Sequence, residues 1–101
     1  MHVSDLVDLI ELAMERETEP FALYNAGAGM AVPIKELVRL MVEVSGRGLK
    51  IEHDLACKSM QVTIALDCQK ALAELGWQPK IALRQGIERT LAWYREHYSC
   101  T

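Results

Sequence analysis

Apolar residues recur at helical spacing in four stretches of the chain, and the residues at their ends are those that start and stop helices. In the first, Leu6, Ile10 and Ala13, flanked by Val7, Leu9 and Met14, form one side, and Asp5, Asp8, Glu11 and Glu15 the other. Ser4 is the expected cap, Asp5 sits in the first turn where the helix dipole favours a negative charge, and the helix should run to about Glu15. In the second, Ile34, Leu37, Val38, Met41 and Val44 make the apolar face, with Lys35, Glu36, Arg39 and Glu43 outside. Pro33 suits its first turn, and Gly46 and Gly48 end it. The third is short: Asp67 caps it, Gly76 closes it in the left-handed conformation so that Trp77 folds back on Leu72, and Pro79 forbids continuation. The fourth runs from Leu83 to His97 on a stripe of Leu83, Ile87, Leu91 and Tyr94.

Between the helices lie apolar segments of strand character. Phe21 to Asn25 is short and aromatic, Leu49 to His53 alternates apolar and polar, and Val62 to Leu66 is partly β-branched. His2 and Val3 read as the tail of a strand. Residues 16–20 form a charged loop and residues 54–61 a polar one. Strands alternating with helices predict an α/β fold of about four helices and two or three short strands, in one domain spanning residues 1–101.

Composition narrows the chemistry. A chain of 101 residues buries roughly 65% of its unfolded surface, enough for one modest core. With 50% hydrophobic and 25% charged residues it is not a disordered segment. A net charge of -3 argues against nucleic acid and anionic membranes as partners. No run of 18 apolar residues and no signal-peptide pattern occur, so a cytoplasmic location is expected. The three cysteines, Cys57, Cys68 and Cys100, form no C-x-x-C pair and read as reduced thiols. His97-x-x-Cys100 offers two ligands where a closed metal site needs four, so no metal is expected.

Other candidate sites give way to plainer roles. Gly27-Ala28-Gly29-Met30-Ala31-Val32 follows a strand and precedes a helix, but Val32 stands at the third glycine position. About 20 residues on lies Ser45-Gly46-Arg47-Gly48, with no acid for a ribose, so these glycines make a tight turn. No serine sits in a G-x-S-x-G elbow. Cys68 would gain reactivity at a helix start only if exposed, and His53-Asp54 are neighbours that point to opposite faces of a strand. Trp77, Trp93 and Tyr94 read as core anchors at helix ends.

The string Asp67-x-x-Lys70-Ala71-x-x-x-Leu75-Gly76-Trp77-x-Pro79-x-Ile81-x-Leu83-x-x-Gly86-Ile87-x-x-Thr90-x-x-Trp93-Tyr94 resembles the C-terminal end of the extended short-chain dehydrogenase/reductase family, the NAD-dependent nucleotide-sugar epimerases and dehydratases. The likeness extends to His2-Val3-Ser4-Asp5-Leu6-Val7 and to Tyr24-Asn25-Ala26-Gly27-Ala28-Gly29, and so covers nearly the whole chain. It implies the substrate-binding portion of such an enzyme without the Rossmann cofactor half. Members of the family use a glycine-rich first turn for NAD(P) and a Tyr-x-x-x-Lys pair for proton exchange with a sugar hydroxyl. Here Ala28 stands four after Tyr24 and Tyr98 four after Tyr94. The chain alone therefore has no catalytic and no cofactor-binding residues of that kind, and is expected to be inactive by itself.

The resemblance places nucleotide-sugar contact in the loop at residues 54–63, on Lys58, Ser59, Gln61 and Thr63. An arginine that many members of the family carry just before the following strand is absent, with Thr63 or a neighbour in its place. Lysine lacks the bidentate fork with which arginine holds a diphosphate. A missing or separate Rossmann domain is the implied partner. An exposed docking face would also favour a homodimer. The alternative is a free-standing α/β interaction protein descended from such an enzyme, self-associating and without catalysis.

Overall fold

The structure, a computed structural model, describes residues 1–58 and 62–98. Four helices follow one another: α1 (Val3–Arg16), α2 (Ile34–Ser45), α3 (Gln69–Leu75) and α4 (Leu83–His97). They associate as two pairs, α1 with α3 and α2 with α4.

Helix α1 starts one residue before the predicted cap. The ring of His2 takes the Ser4 amide at 3.2 Å, and the Ser4 hydroxyl turns to the same Nδ1 at 2.7 Å. Which face is buried also differs from expectation. Asp5, read from the pattern as a wet-face acid, is 2% exposed, and Leu9 beside it is buried. Val3, Val7, Ile10 and Met14 face outward instead. The reason is a polar attraction that apolar periodicity does not register. The Asp5 carboxylate accepts from the backbone N–H of Lys80 (3.0 Å) and of Ile81 (3.1 Å), and its carbonyl accepts from the Trp77 indole at 2.9 Å. Burying a charge is tolerable only with such partners.

The core lies between α1 and α3: Leu9, Ala71, Leu75 and Trp77 are buried, with Leu12, Ala13, Tyr24, Ala26 and Cys68 packed around them. Trp77 is buried here, while Leu72, its expected packing partner, is 40% exposed and lines one cleft with it. The N-cap of α3 is Cys68, one residue after the predicted Asp67, whose Oδ1 nevertheless takes the Gln69 amide at 3.0 Å. Gly76 ends it at φ 68°, donating to the Leu72 carbonyl at 3.0 Å while the Trp77 amide reaches Ala71 at 3.2 Å. Arg16 adds a donor from α1 to the Leu75 carbonyl at 2.9 Å.

Helix α4 passes close to the start of α1 at the buried Gly86. A Cβ there would stand 3.4 Å from the His2 Cβ. On its other side α4 meets α2 through Arg84 to Glu43 at 3.0 Å and Arg95 to the Ser45 carbonyl at 3.0 Å. Yet α2 carries no buried residue.

The expected strands are absent among the described residues, so the α/β reading gives way to a helical architecture. Residues 21–26 keep the period-two pattern: Ala22, Tyr24 and Ala26 turn inward, while Phe21 is 79% and Leu23 69% exposed. A ladder needs a neighbour running alongside at about 4.8 Å. What lies nearby is held by side chains instead: Asn25 Nδ2 donates to the Asp67 carbonyl at 3.1 Å and Lys70 Nζ to the Leu23 carbonyl at 2.9 Å. Residues 49–53 are exposed throughout.

These features leave an open shape. The radius of gyration is 17.1 Å, where a compact chain of this length has about 13 Å. The accessible surface is 8616 Å², against about 5,800 Å² for a globular protein of this mass. Among the described residues no helix is long and apolar enough to cross a membrane.

Two substitutions test this architecture by urea denaturation. Asp5→Ala should cost about 3 kcal/mol, because two amides lose a charged acceptor, and Asp5→Asn, which keeps one oxygen, should cost less. A loss under about 0.5 kcal/mol for Asp5→Ala would show that the clamp carries no stability. Gly76→Val should cost about 1–2 kcal/mol from the left-handed backbone, and an unchanged midpoint would mean that this cap does not end α3.

Candidate functional site

Two of the concavities on the described surface are of ligand size. The first, about 500 Å³, is walled by Gly27 to Gly29 on one side and by Ala65 to Gln69 on the other, with Trp77 to Pro79 closing one end. Asn25 fastens the two walls through its bond to Asp67. The Cys68 thiol, half-buried, donates to the Leu66 carbonyl at 3.6 Å. The second, about 780 Å³, is an apolar groove between α2 and α4 reaching the first residues of the chain.

Only two of the four predicted contact residues are among the described ones. Lys58 and Thr63 are exposed and line neither concavity, and Ser59 and Gln61 lie outside the described residues. Just upstream, Asp54 organises a turn, its carboxylate accepting from the Ala56 amide at 3.0 Å and from the Cys57 thiol at 3.3 Å. That occupies Asp54 locally and gives His53 no share in it. His97 stacks on Trp93 with ring centres 4.4 Å apart and meets the Trp93 carbonyl at 2.8 Å; Cys100 lies outside the described residues. Among the described residues no cluster of three or more His, Cys, Asp or Glu could hold a metal.

The glycine turn does not fit a dinucleotide. That motif works by aiming a helix N-terminus at the pyrophosphate. Here no residue of α2 lines the cleft, and α2 begins only at Ile34, after Pro33 and with no side-chain cap. The wall opposite the glycines is Ala65 to Gln69, leading into α3. Sequence reasoning missed this pairing because Asn25 and Asp67 are 42 positions apart and nothing local announces their contact.

Tyr24 is the ionisable group most strongly perturbed. Its hydroxyl donates to the Glu17 carboxylate, and Lys70 Nζ lies 4.9 Å from the centre of its ring. The bond to Glu17 first, and burial after it, raise the phenol well above its ordinary 10.0, and Glu74 adds to the effect. The same bond holds the Glu17 carboxyl below its ordinary 4.5. The bond ties residues 21–26 to Glu17, the residue that caps the end of α1.

Comparison with known proteins supplies the context. The chain is 38% identical over 97 residues to a putative GDP-L-fucose synthase 2 of Arabidopsis thaliana and 32% identical over 98 residues to a dTDP-glucose 4,6-dehydratase of Streptomyces antibioticus. Each alignment takes in 96% of this chain and 29% of the relative. The fold is similar to that of the crystal structure of the Bordetella bronchiseptica enzyme WbmG in complex with NAD and UDP, with a TM-score of 0.72 at 25% identity. That likeness covers 94% of this chain and 30% of WbmG. The chain thus spans about 30% of the length of the curated relatives it matches. No protein-family model matches it.

The Tyr24–Glu17 tie has a definite pH window. Glu17 contributes above the ordinary carboxylate value and loses its contribution as pH falls. Tyr24 contributes below its ordinary 10.0 and loses its contribution as pH rises towards its folded value. The difference in phenolate absorbance between the native chain and Tyr24→Phe should therefore titrate well above 10.0, and Glu17→Gln should bring it down. An unshifted titration of Tyr24 would show that the bond does not persist in solution.

Proposed function

We propose, from the kinship of this chain with the NAD-dependent nucleotide-sugar enzymes of the extended short-chain dehydrogenase/reductase family, that it is the nucleotide-sugar-binding portion of an epimerase or dehydratase and is catalytically incomplete alone. The observation that carries this reading is the alignment. Nearly all of this chain matches less than a third of each enzyme, and both relatives are named for reactions on nucleotide sugars. The open shape is consistent with a piece that packs against something else.

In this reading Lys58 faces the diphosphate as a point charge, with Ser59, Gln61 and Thr63 as hydrogen-bonding neighbours. The chain has no Tyr-x-x-x-Lys pair, and its glycine turn does not fit a dinucleotide. NAD(P) and the hydride chemistry it supplies belong to the rest of such an enzyme, a Rossmann half that these residues do not form.

Calorimetry with a panel of UDP-, GDP-, CDP- and dTDP-sugars tests the proposal. One class should bind with a dissociation constant below about 1 mM, and Lys58→Ala should weaken it roughly threefold to tenfold. NAD should give no heat in the same range. Micromolar NAD binding, or equal indifference to all four nucleotides, would refute the assignment.

A further inference from the structure

We propose, on the reading of this chain as a nucleotide-sugar-binding portion, that the cleft between the glycine turn and the segment leading into α3 holds the nucleobase, and that the base it fits is guanine.

The cleft has the size of a small-molecule site, at about 500 Å³. One wall, Gly27 to Gly29, carries nothing larger than the methyl group of Ala28, so a flat ring can approach bare backbone. Leu72 and Trp77 supply apolar contact. The fold does not itself demand the gap. Gly27 has no positive φ, and a Cβ there would stand 3.7 Å from the Cys68 Sγ and 3.8 Å from Leu66, both ordinary contacts. A side chain could fill this space, and the sequence puts a glycine there.

Charge decides which part of a nucleotide sugar enters. Among the lining residues Asp67 is the one charged side chain, with no lysine, arginine or histidine beside it. A diphosphate is repelled there, whereas a neutral ring with hydrogen-bonding edges is not. Asp67 is exposed and held at two points: its Oδ1 takes the Gln69 amide at 3.0 Å, and its carbonyl accepts from Asn25 at 3.1 Å. A carboxylate only accepts, so it selects the base whose edge offers donors side by side. Guanine does so with N1–H and its 2-amino group. Adenine and cytosine set one amino group beside an acceptor, and uracil and thymine set one N–H between two carbonyls. The side-chain amides of Gln69 and Gln78 can serve the remaining edge atoms. Lys58 stands seven residues ahead of Ala65, so one segment carries the diphosphate contact and then a wall of the base cleft.

Trp77 is the reporter, because it lines the cleft and Trp93→Phe removes the only other tryptophan. In the Trp93→Phe chain guanosine should quench emission saturably with a dissociation constant below about 1 mM. Adenosine, cytidine, uridine and thymidine should bind at least about fivefold more weakly. A nucleoside has no phosphate, so Lys58→Ala should leave guanosine binding unchanged. Asp67→Asn, which still supplies a capping oxygen, should weaken guanosine at least about fivefold. Gly27→Leu, which fills the cleft, should abolish the quenching. Circular dichroism checks folding; if Gly27→Leu has lost its helices, Asp67→Asn carries the test. Heat from a nucleotide sugar without quenching by guanosine would overturn the cleft assignment and leave nucleotide-sugar binding standing. Neither heat nor quenching would overturn both. Equal quenching by all five nucleosides, preference for another base, or guanosine binding indifferent to both cleft variants would also overturn the assignment.

Discussion

The architecture of the chain depends on one acidic side chain that local pattern assigns to water. Asp5 stands in the first turn of α1 and receives two backbone amides from the segment that joins α3 to α4, while its own carbonyl receives the Trp77 indole. These bonds reach 72 to 76 positions along the sequence. They decide which side of α1 is inside, because the carboxylate cannot be buried without donors and these are the donors available. With Asp5 inward, Leu9 follows it into the core, and Val7 and Ile10, on the opposite side of the helix, must face out. The same contact holds Lys80 and Ile81 just ahead of Leu83, so the start of α4 is placed by α1.

Much follows from how little this arrangement buries. Four apolar side chains among the described residues form the buried core, all between α1, α3 and the turn after it. The α2–α4 pair is held together by Arg84 and Arg95 and reaches α1 at Gly86 and through the Asp5 bonds just ahead of α4, and α2 has no buried residue. Residues 21–26 have one side on the core and the other, with Phe21 and Leu23, uncovered. Residues 21–26 and α1 thus each have one covered and one uncovered apolar side, and α2 has no buried residue. A marginal native state, a few kcal/mol above unfolding, cannot leave so much apolar surface wet at no cost.

Helix ends were legible from the sequence because their causes are local. Pro33, Gly46, Asp67 and Gly76 act within a residue or two of where they stand, and Leu83 to His97 matches α4 to the residue. Helix faces were less legible. On α1 the stripe through Leu6 and Ile10 outscored the one through Asp5 and Leu9, and only a distant pair of amides reverses that order. The strands failed for a related reason: period-two alternation at residues 21–26 is present, but a strand is a property of two segments and its partner is not among the described residues. Of the four predicted contact residues, Lys58 and Thr63 are exposed and unassembled, and Ser59 and Gln61 are not described. The glycine cleft was half legible, its turn visible at Gly27 to Gly29 and its opposite wall hidden until Asn25 met Asp67.

The groups that could have been reactive are engaged in holding the fold: Tyr24 by Glu17, Asp5 by amides, Asp54 by its own turn, and Cys68 by the Leu66 carbonyl. A titratable group already committed to a bond must break it before it can move a proton, which raises the barrier by the strength of that bond. Those polar groups are committed, while the apolar faces of α2 and of residues 21–26 are not.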